Sequence, residues 1–152
     1  MAQLSFHSPV GDLTVSEEGG ALVSVDWGWG RDQEETSLLR KARKQIDAYL
    51  DGKRQGFDLP LRPIGTAFQL RVWKAMQKIP FGKVHAYGAL AKRIKSGPRP
   101  VGTACGANPL PIIIPCHRVI LANGGVGGYS GEGGLDTKRT LLALEGYNTD
   151  LF

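Results

Sequence analysis

Apolar residues in the first fifty positions recur first at strand spacing and then at helix spacing. The stretch 6–15 alternates apolar and polar side chains around two turn dipeptides, Ser-Pro and Gly-Asp, and so predicts a hairpin. Ala21–Trp27 predicts a third strand. Over Glu34–Leu50 the apolar positions return at helical spacing, with Glu35 at the end that the helix dipole favours and Gly52 as a stop. This part of the chain therefore predicts antiparallel strands plus one helix.

A connection rich in glycine and proline, residues 52–65, follows and indicates a boundary between two modules. After it, Thr66 and Gln69 have the spacing of a capping box, which predicts the start of a new helix. We therefore predict two domains, one over residues 1–60 and one over residues 66–152.

Two short helical patterns, Tyr87–Ile94 and Arg99–Ala107, are separated by Lys95–Pro98, which is the spacing of a helix-turn-helix. The second pattern consists mainly of small side chains. These suit either close approach to DNA with little base readout or tight packing in a core, and the two interpretations carry equal weight. A last helix is predicted over Asp136–Leu144, after a glycine-rich loop at 124–131 that we interpret as facing a substrate.

Length and composition allow a folded core but no membrane span. The chain has 152 residues, of which 41% are hydrophobic. Its longest apolar run is far shorter than the roughly 20 residues that cross a bilayer. The N-terminus also lacks the charged and apolar regions of a signal peptide. We therefore expect a cytoplasmic protein without a membrane partner.

Charge is distributed unevenly around the net value of +5. Residues 1–58 hold seven Lys or Arg against ten Asp or Glu, whereas residues 59–152 hold twelve against four. No acidic residue lies between Asp58 and Glu132, where ten Lys or Arg are found. Such a basic stretch indicates a phosphate-rich partner, with an ordinary solvated basic surface as the alternative.

The candidate chemistry lies in the motif Pro115–Val119, in which Cys116 is followed directly by His117 and Arg118. A thiol attacks as the thiolate, and cationic neighbours of this kind lower a cysteine pKa from its free value of about 8.5. The alternative is an inert, buried structural cysteine. The other cysteine is Cys105, and we expect both to be free thiols because a short cytosolic chain favours reduced cysteines. The Cys and His spacing predicts no metal site.

The segment from Asn108 to Val119 reads Asn-Pro-Leu-Pro, three isoleucines, and Pro-Cys-His-Arg-Val. This motif resembles the active-site motif of the O6-alkylguanine-DNA alkyltransferases, and the resemblance covers residues 66–147 closely and the first 60 residues loosely. It continues through a series of ordered landmarks. These are Phe81-Gly82-Lys83-Val84, Tyr87, Arg99, Val101-Gly102, Gly128-Tyr129-Ser130-Gly131 and Leu144-Glu145-Gly146.

The resemblance implies a mixed fold, α/β plus mainly α. A small RNase H-like α/β domain of antiparallel strands and a helix would precede a helical, winged-helix-like domain with a helix-turn-helix that binds DNA and carries the catalytic residues. It implies irreversible, stoichiometric transfer of a methyl or larger alkyl group from O6-alkylguanine, flipped out of DNA, to Cys116. Whether O4-alkylthymine is also a substrate stays open. The implied partner is double-stranded DNA carrying O6-alkylguanine, bound by a monomer, and no cofactor or metal is implied.

By the same resemblance, Cys116 is the alkyl acceptor and His117 deprotonates it through a water. Glu145 orients and charges the imidazole, as the third group of a triad does. Tyr87 resembles the tyrosine that gives a proton or hydrogen bond to the flipped guanine. Lys138 resembles the lysine that assists the leaving oxygen.

Further positions match family residues that face DNA or the substrate. Arg99 matches the arginine that enters the duplex in place of the extruded nucleotide, with a plain phosphate contact as the alternative. Asn108 matches the residue that braces the turn between the recognition helix and the active site, and we count it with the catalytic residues. Gly102 and Arg118 are expected to contact DNA. The expected substrate pocket consists of Pro111, Val119, Tyr129 and Ser130.

Two positions depart from the family pattern. Ala86 stands where a serine is usual, which removes a helix N-cap worth about 1 kcal/mol. Pro100 follows Arg99 where alanine is usual, and a residue before proline is biased away from helical geometry. We therefore expect Arg99 at the entry to its helix.

Two other functions are compatible with parts of the pattern. One is a non-enzymatic DNA-binding relative that marks alkylated bases, but such proteins replace the acceptor cysteine, and Cys116 is present. The other is a cysteine hydrolase with a Cys-His-Glu triad, which the basic stretch and the helix-turn-helix spacing disfavour. A labelled-methyl transfer assay separates the three.

Overall fold

The structure is a computed structural model that describes residues 1–125, 127 and 134–147. The chain forms two compact units. The first comprises Met1–Ile64 together with Pro109–Ile113, and the second comprises Gly65–Asn108 together with the chain from Ile114 onward. In the described ranges, no helix is long and apolar enough to cross a membrane.

The first unit contains a three-stranded antiparallel sheet in the order β1 (Ala2–Phe6), β2 (Leu13–Glu18) and β3 (Ala21–Trp27). The predicted hairpin and third strand are therefore present. Buried apolar residues face each other across the strands, as in the pairing of Val15 with Val25. Such cross-strand pairs are the main local source of sheet stability.

Helix α1 (Ser37–Leu50) packs against this sheet. It begins three residues later than predicted, because Thr36 accepts a hydrogen bond from the backbone N–H of Leu39 and so caps the helix. The two glutamates that the prediction placed in the first turn precede the helix instead. Its buried face carries Leu39, Ala42, Gln45, Ile46 and Tyr49.

Residues 109–113 belong to the first unit although they lie in the middle of the second unit's sequence. The carbonyl oxygen of Pro109 accepts a hydrogen bond of 2.9 Å from the backbone N–H of Val25. Ile112 has a φ of 74°, which is rare for a β-branched residue and stores backbone strain of about 1–3 kcal/mol. The surrounding structure must therefore determine this conformation.

The second unit begins with α2 (Ala67–Gln77), and its N-terminus is the predicted capping box. The hydroxyl of Thr66 accepts from the backbone N–H of Gln69, and the Gln69 side chain accepts from the backbone N–H of Thr66. On the buried face, the indole N–H of Trp73 donates to the carbonyl of Ala104 at 2.8 Å. This bond fixes α2 against the later helix that contains Ala104.

The helix-turn-helix consists of α3 (Tyr87–Arg93) and α4 (Pro98–Gly106), which pack against each other. As expected, Ala86 at the N-cap of α3 makes no side-chain capping bond. Helix α4 begins at Pro98, one residue earlier than predicted, so Arg99 lies in its first turn, at the helix entry as expected. Pro100 is tolerated there because the first N–H groups of a helix have no intrahelical acceptor.

The remaining elements of the second unit are short. A 3-10 turn, Cys116–Arg118, leads into β5 (Val119–Ile120), which pairs in parallel with β4 (His85–Ala86). Helix α5 (Leu135–Leu144) follows and packs against the 3-10 turn. These contacts place the motif cysteine beside the last helix and α2.

Candidate active site

The motif residues converge on the 3-10 turn of the second unit. Cys116 is 5% exposed and His117 is fully buried. The two residues occupy the first turn after Pro115, and α5 brings Glu145 and Lys138 to them from the far end of the sequence. The structure thus brings Cys116, His117 and Glu145 together, although Glu145 lies 29 positions after Cys116 in the sequence.

The thiol of Cys116 is protonated at rest. Burial raises its pKa, against the opposing effects of a hydrogen bond from the Asn108 side chain and of the positive charge on Lys138. The expectation that His117 and Arg118 lower this pKa is therefore wrong, because removal from water outweighs the nearby charges. If this thiol is to act as a nucleophile, it must lose its proton as it reacts rather than beforehand.

Asn108 follows α4 and leads into the segment that carries Cys116. Its side-chain N–H donates to the carbonyl of Ile114 at 2.9 Å. The same carbonyl accepts from the backbone N–H of Cys116 at 2.8 Å. Asn108 is 8% exposed, so these bonds hold the backbone on which the cysteine stands.

His117 is bonded to Glu145, with 2.8 Å between Nε2 and Oε2. Because a carboxylate only accepts hydrogen bonds, Nε2 carries the ring proton in this arrangement. Burial lowers the pKa of His117, Glu145 raises it, and the charges of Arg118 and Lys138 lower it. The imidazole is therefore neutral and able to accept a proton.

Arg118 is predicted from the sequence to contact DNA, but the structure buries it in internal bonds. Its Nε and Nη2 donate to the two oxygens of Glu145 at 2.8 Å each, and its Nη1 donates to the carbonyl of Ile79 at 2.6 Å. The side chain is 9% exposed. The guanidinium is thus committed to Glu145 and is not available as a phosphate contact.

Lys138 and Tyr87 form a second polar group in the site. Lys138 is fully buried, and its ammonium donates to the carbonyl of Val119 at 2.7 Å. The ammonium also lies over the Tyr87 ring, 5.6 Å from the centroid. Burial lowers the pKa of Lys138 to about 8 and raises that of Tyr87 to about 12. At neutral pH Tyr87 is therefore a hydrogen-bond donor, and Lys138 is mostly cationic.

Two of the residues expected at the DNA surface, Arg99 and Gly102, lie on α4. Arg99 is exposed in the first turn, and Gly102 is half-buried in the middle of the helix. A Cβ atom added at Gly102 would meet no atom within 4 Å. The protein's own packing therefore does not require glycine at this position.

The expected pocket residues are distributed differently. Val119 is fully buried on β5, directly after the 3-10 turn. Pro111 is buried and belongs to the first unit. Tyr129 and Ser130 lie outside the described residues. The pocket as a whole stays a prediction.

Two backbone groups around Glu145 were not predicted. The Ile79 carbonyl accepts from Arg118, and the N–H of Gly82 lies 3.4 Å from Oε1 of Glu145. Gly82 has a φ of 82°, a conformation that glycine adopts without a steric cost. The Phe-Gly landmark at 81–82 was the available signal, since it marks a turn that requires glycine.

Within the described part of the chain, no three His, Cys, Asp or Glu side chains form a group that could hold a metal ion. Both cysteines are free thiols and buried. Cys105 lies 3.4 Å from the sulfur of Met76, and burial raises its pKa to about 12. Cys105 is therefore a protonated core residue.

The chain matches two family models over nearly its full length. Residues 3–63 match the ribonuclease-like domain of 6-O-methylguanine DNA methyltransferase, and residues 67–147 match the DNA binding domain of the same family. The chain belongs to the 6-O-methylguanine DNA methyltransferase family. The predicted fold class, a ribonuclease-like α/β domain followed by a helical DNA-binding domain, is confirmed.

Individual relatives agree with this assignment. A methylated-DNA–protein-cysteine methyltransferase of Methanosarcina acetivorans is 40% identical, over 93% of this chain and 96% of that protein. The methylated-DNA–protein-cysteine methyltransferase of Haemophilus influenzae is 38% identical, over 92% of this chain and 83% of that protein. The structure also resembles the crystal structure of Mycobacterium tuberculosis OGT in complex with DNA, with a TM-score of 0.86. The two sequences are 39% identical, and the match covers 95% of this chain and 92% of that one.

Proposed function

We propose that this protein repairs DNA by direct reversal. It transfers a methyl or larger alkyl group from the O6 atom of guanine to Sγ of Cys116, and each molecule acts once. The proposed partner is double-stranded DNA carrying O6-alkylguanine, bound by a monomer in the cytoplasm. The proposed site lies in the second of the two predicted domains. The predicted domain boundaries, residues 1–60 and 66–152, stay a prediction.

The observation that carries the proposal is the buried series Cys116, His117 and Glu145. The imidazole of His117 is neutral, and its Nε2 lies 2.8 Å from Oε2 of the Glu145 carboxylate. A neutral imidazole with its proton on Nε2 offers Nδ1 as the base for the thiol proton, directly or through a water. A DNA-binding relative that transfers no alkyl group would not need this arrangement.

The transfer is a displacement at the alkyl carbon. The proton of the Cys116 thiol passes to His117, and the thiolate attacks the alkyl carbon. A C–S bond forms as the C–O bond breaks, and the electron pair of that bond goes to the departing guanine. The product is a thioether, which water does not readily cleave, so the protein is consumed in the reaction.

Tyr87 and Lys138 assist the guanine as it leaves. Tyr87 keeps its proton, because burial raises its pKa to about 12, and so it can donate a hydrogen bond to the base. Lys138 places a cation 5.6 Å from the centre of the Tyr87 ring. A buried cation and a half-buried donor stabilise developing negative charge more strongly than the same groups would in water.

The helix-turn-helix supplies the DNA side of the proposal. Arg99 and the exposed basic residues Lys92, Arg93 and Lys95 lie on or between α3 and α4. Basic groups bind phosphates without reading sequence, while small side chains on α4 permit close approach to the groove. Arg99 then occupies the space of the extruded base.

The test is transfer of a labelled methyl group from DNA that contains O6-methylguanine. Cys116→Ser should abolish transfer and leave DNA binding nearly intact, because a hydroxyl is far harder to ionise than a thiol. Cys105→Ala is the matched control and should remain active. Transfer by Cys116→Ser, or loss of transfer in folded Cys105→Ala, would contradict the proposal.

A further inference from the structure

Arg118 makes a two-pronged contact with the carboxylate that supports the catalytic base. Nε binds Oε1 and Nη2 binds Oε2, each at 2.8 Å. A third donor, Nη1, is held by the Ile79 carbonyl at 2.6 Å. Such paired N–H bonds fix the plane of a carboxylate as well as its position.

The contact determines the charge of Glu145. The Glu145 side chain is 1% exposed, and a buried carboxylate is stable only where a cation and hydrogen bonds replace water. Arg118 supplies the cation. Without it, a buried glutamate commonly takes up a proton and titrates near pH ~8 to 9.

The charge of Glu145 in turn determines which nitrogen of His117 carries the proton. An ionised carboxylate accepts from Nε2–H and leaves Nδ1 as the base. A protonated carboxyl is itself an O–H donor, so Nε2 would become the acceptor and the ring proton would move to Nδ1. That tautomer has a donor at the nitrogen that must receive the thiol proton.

We propose that Arg118 is a positioning residue of the transfer reaction, which acts through Glu145 to hold His117 in the Nε2–H tautomer. The inference rests on the function proposed above. It also assigns a role to Arg118, which takes no direct part in the chemistry, whereas its sequence neighbour His117 does.

Other charged groups near the imidazole do not replace Arg118 in this role. Lys138 on α5 carries a charge that acts on His117, but its ammonium is bonded to the Val119 carbonyl. Tyr87 on α3 faces Lys138. On α2, which also packs against the 3-10 turn, Arg71 gives its guanidinium to the Ile94 carbonyl.

The first test needs neither DNA nor alkyl transfer. Nitrogen-15 NMR of the His117 ring reports which nitrogen carries the proton. The wild type should show Nε2–H at neutral pH, and Arg118→Met should show Nδ1–H there and return to Nε2–H in alkaline solution. Arg118→Lys keeps the cation and should restore Nε2–H. Arg139→Met, which removes an exposed arginine of α5, is the matched control and should resemble the wild type.

The second test is the pH dependence of the single-turnover transfer rate. In Arg118→Met the acid limb should move upward in pH, with a loss on the order of 10-fold or more near neutrality and recovery in alkaline solution, once Glu145 ionises. A merely structural role would lower the rate equally at every pH. DNA affinity should stay within about twofold of the wild type, since the guanidinium is buried.

A double variant keeps the proposal testable even if Arg118→Met does not fold, because Arg118→Met with Glu145→Gln leaves no lone buried charge. Its transfer rate should equal that of Glu145→Gln alone, as expected when one residue acts only through the other. A clearly slower double variant, an unchanged tautomer in Arg118→Met, or a uniform rate loss would overturn the proposal. If the wild type transfers no alkyl group, the proposed function fails, while the NMR result still decides the role of Arg118.

Discussion

Replacing Gly102 by alanine separates the demands of the fold from those of DNA binding. Gly102 lies in the middle of α4, and a methyl group built there meets no atom within 4 Å apart from its chain neighbours and the nearby backbone of its own helix. Glycine inside a helix costs about 0.5–1 kcal/mol relative to alanine, through the extra freedom of the unfolded chain. Gly102→Ala should therefore stabilise the protein by about that amount, which is roughly 1 to 4 °C in Tm.

The same methyl group should impair repair of duplex DNA. If α4 lies against the groove, the added carbon separates the helix from the DNA by about an ångström, and a misplacement of that size can cost on the order of 10²-fold in rate. Single-turnover transfer from duplex O6-methylguanine should fall accordingly. Transfer from the free alkylated base should match the wild type, because the thiol, the base and the carboxylate are untouched.

Thermal unfolding and the two transfer assays together decide this prediction. A gain in Tm with a selective loss on duplex DNA supports a DNA-facing α4. A wild-type rate on duplex DNA would refute the placement of α4 against the groove. A drop in Tm would show instead that the helix packs more tightly than the open space around Gly102 indicates.

Four further predictions concern the site and its surface. Glu145→Gln should slow transfer by a factor on the order of 10² or more and raise the pKa of the Cys116 thiol, with little change in DNA affinity; a full rate with an unchanged thiol pKa would reduce Glu145 to a structural acid. Arg99→Ala should slow transfer on duplex DNA much more than on the free base, because extrusion is the impaired step; equal losses on both would refute its role in flipping. DNA affinity should fall about tenfold or more between roughly 50 and 200 mM salt, as expected for only a few neutralised phosphates, and a flat salt profile would contradict the basic surface. Cys105 titrates near 9.0 when unfolded and at about 12 when folded, so its contribution to stability is present below pH ~9 and lost as pH rises toward ~12; denaturant unfolding should show the wild type losing stability across this window relative to Cys105→Ala, and parallel curves would contradict the shift.

The sequence predicted the elements of both units because their patterns are local. The strand Ala21–Trp27 and the capping box at Thr66 and Gln69 agree with the structure residue by residue. Helix ends were predicted less well where a single bond decides them. Thr36 caps α1 through a side-chain hydrogen bond, and Pro98 opens α4 with its fixed φ; apolar spacing reports neither feature.

Long-range pairing explains what the sequence could not show. Arg118 stands beside His117 in the motif, and its charge suggested a phosphate contact. Its partner, Glu145, lies 27 residues away on the chain, and only the packing of α5 against the 3-10 turn brings the two together. Burial likewise reversed the expected direction of the Cys116 pKa shift, since exposure is a property of the fold.

Residues 109–113 are a third case. The motif around them predicts a single continuous active-site segment, whereas this stretch packs in the first unit. Ile112 adopts a left-handed backbone conformation, which a glycine in the sequence would usually indicate. Because the residue is isoleucine, the sequence carries no local signal of it.

The most direct test of the account is to locate and count the alkyl group after reaction. Excess duplex DNA carrying labelled O6-methylguanine is incubated with the protein, and the digested product is analysed by mass spectrometry. We expect one methyl group per chain, on the sulfur of Cys116, with no further turnover. Label on Cys105, or release of more than one methyl equivalent per chain, would contradict it.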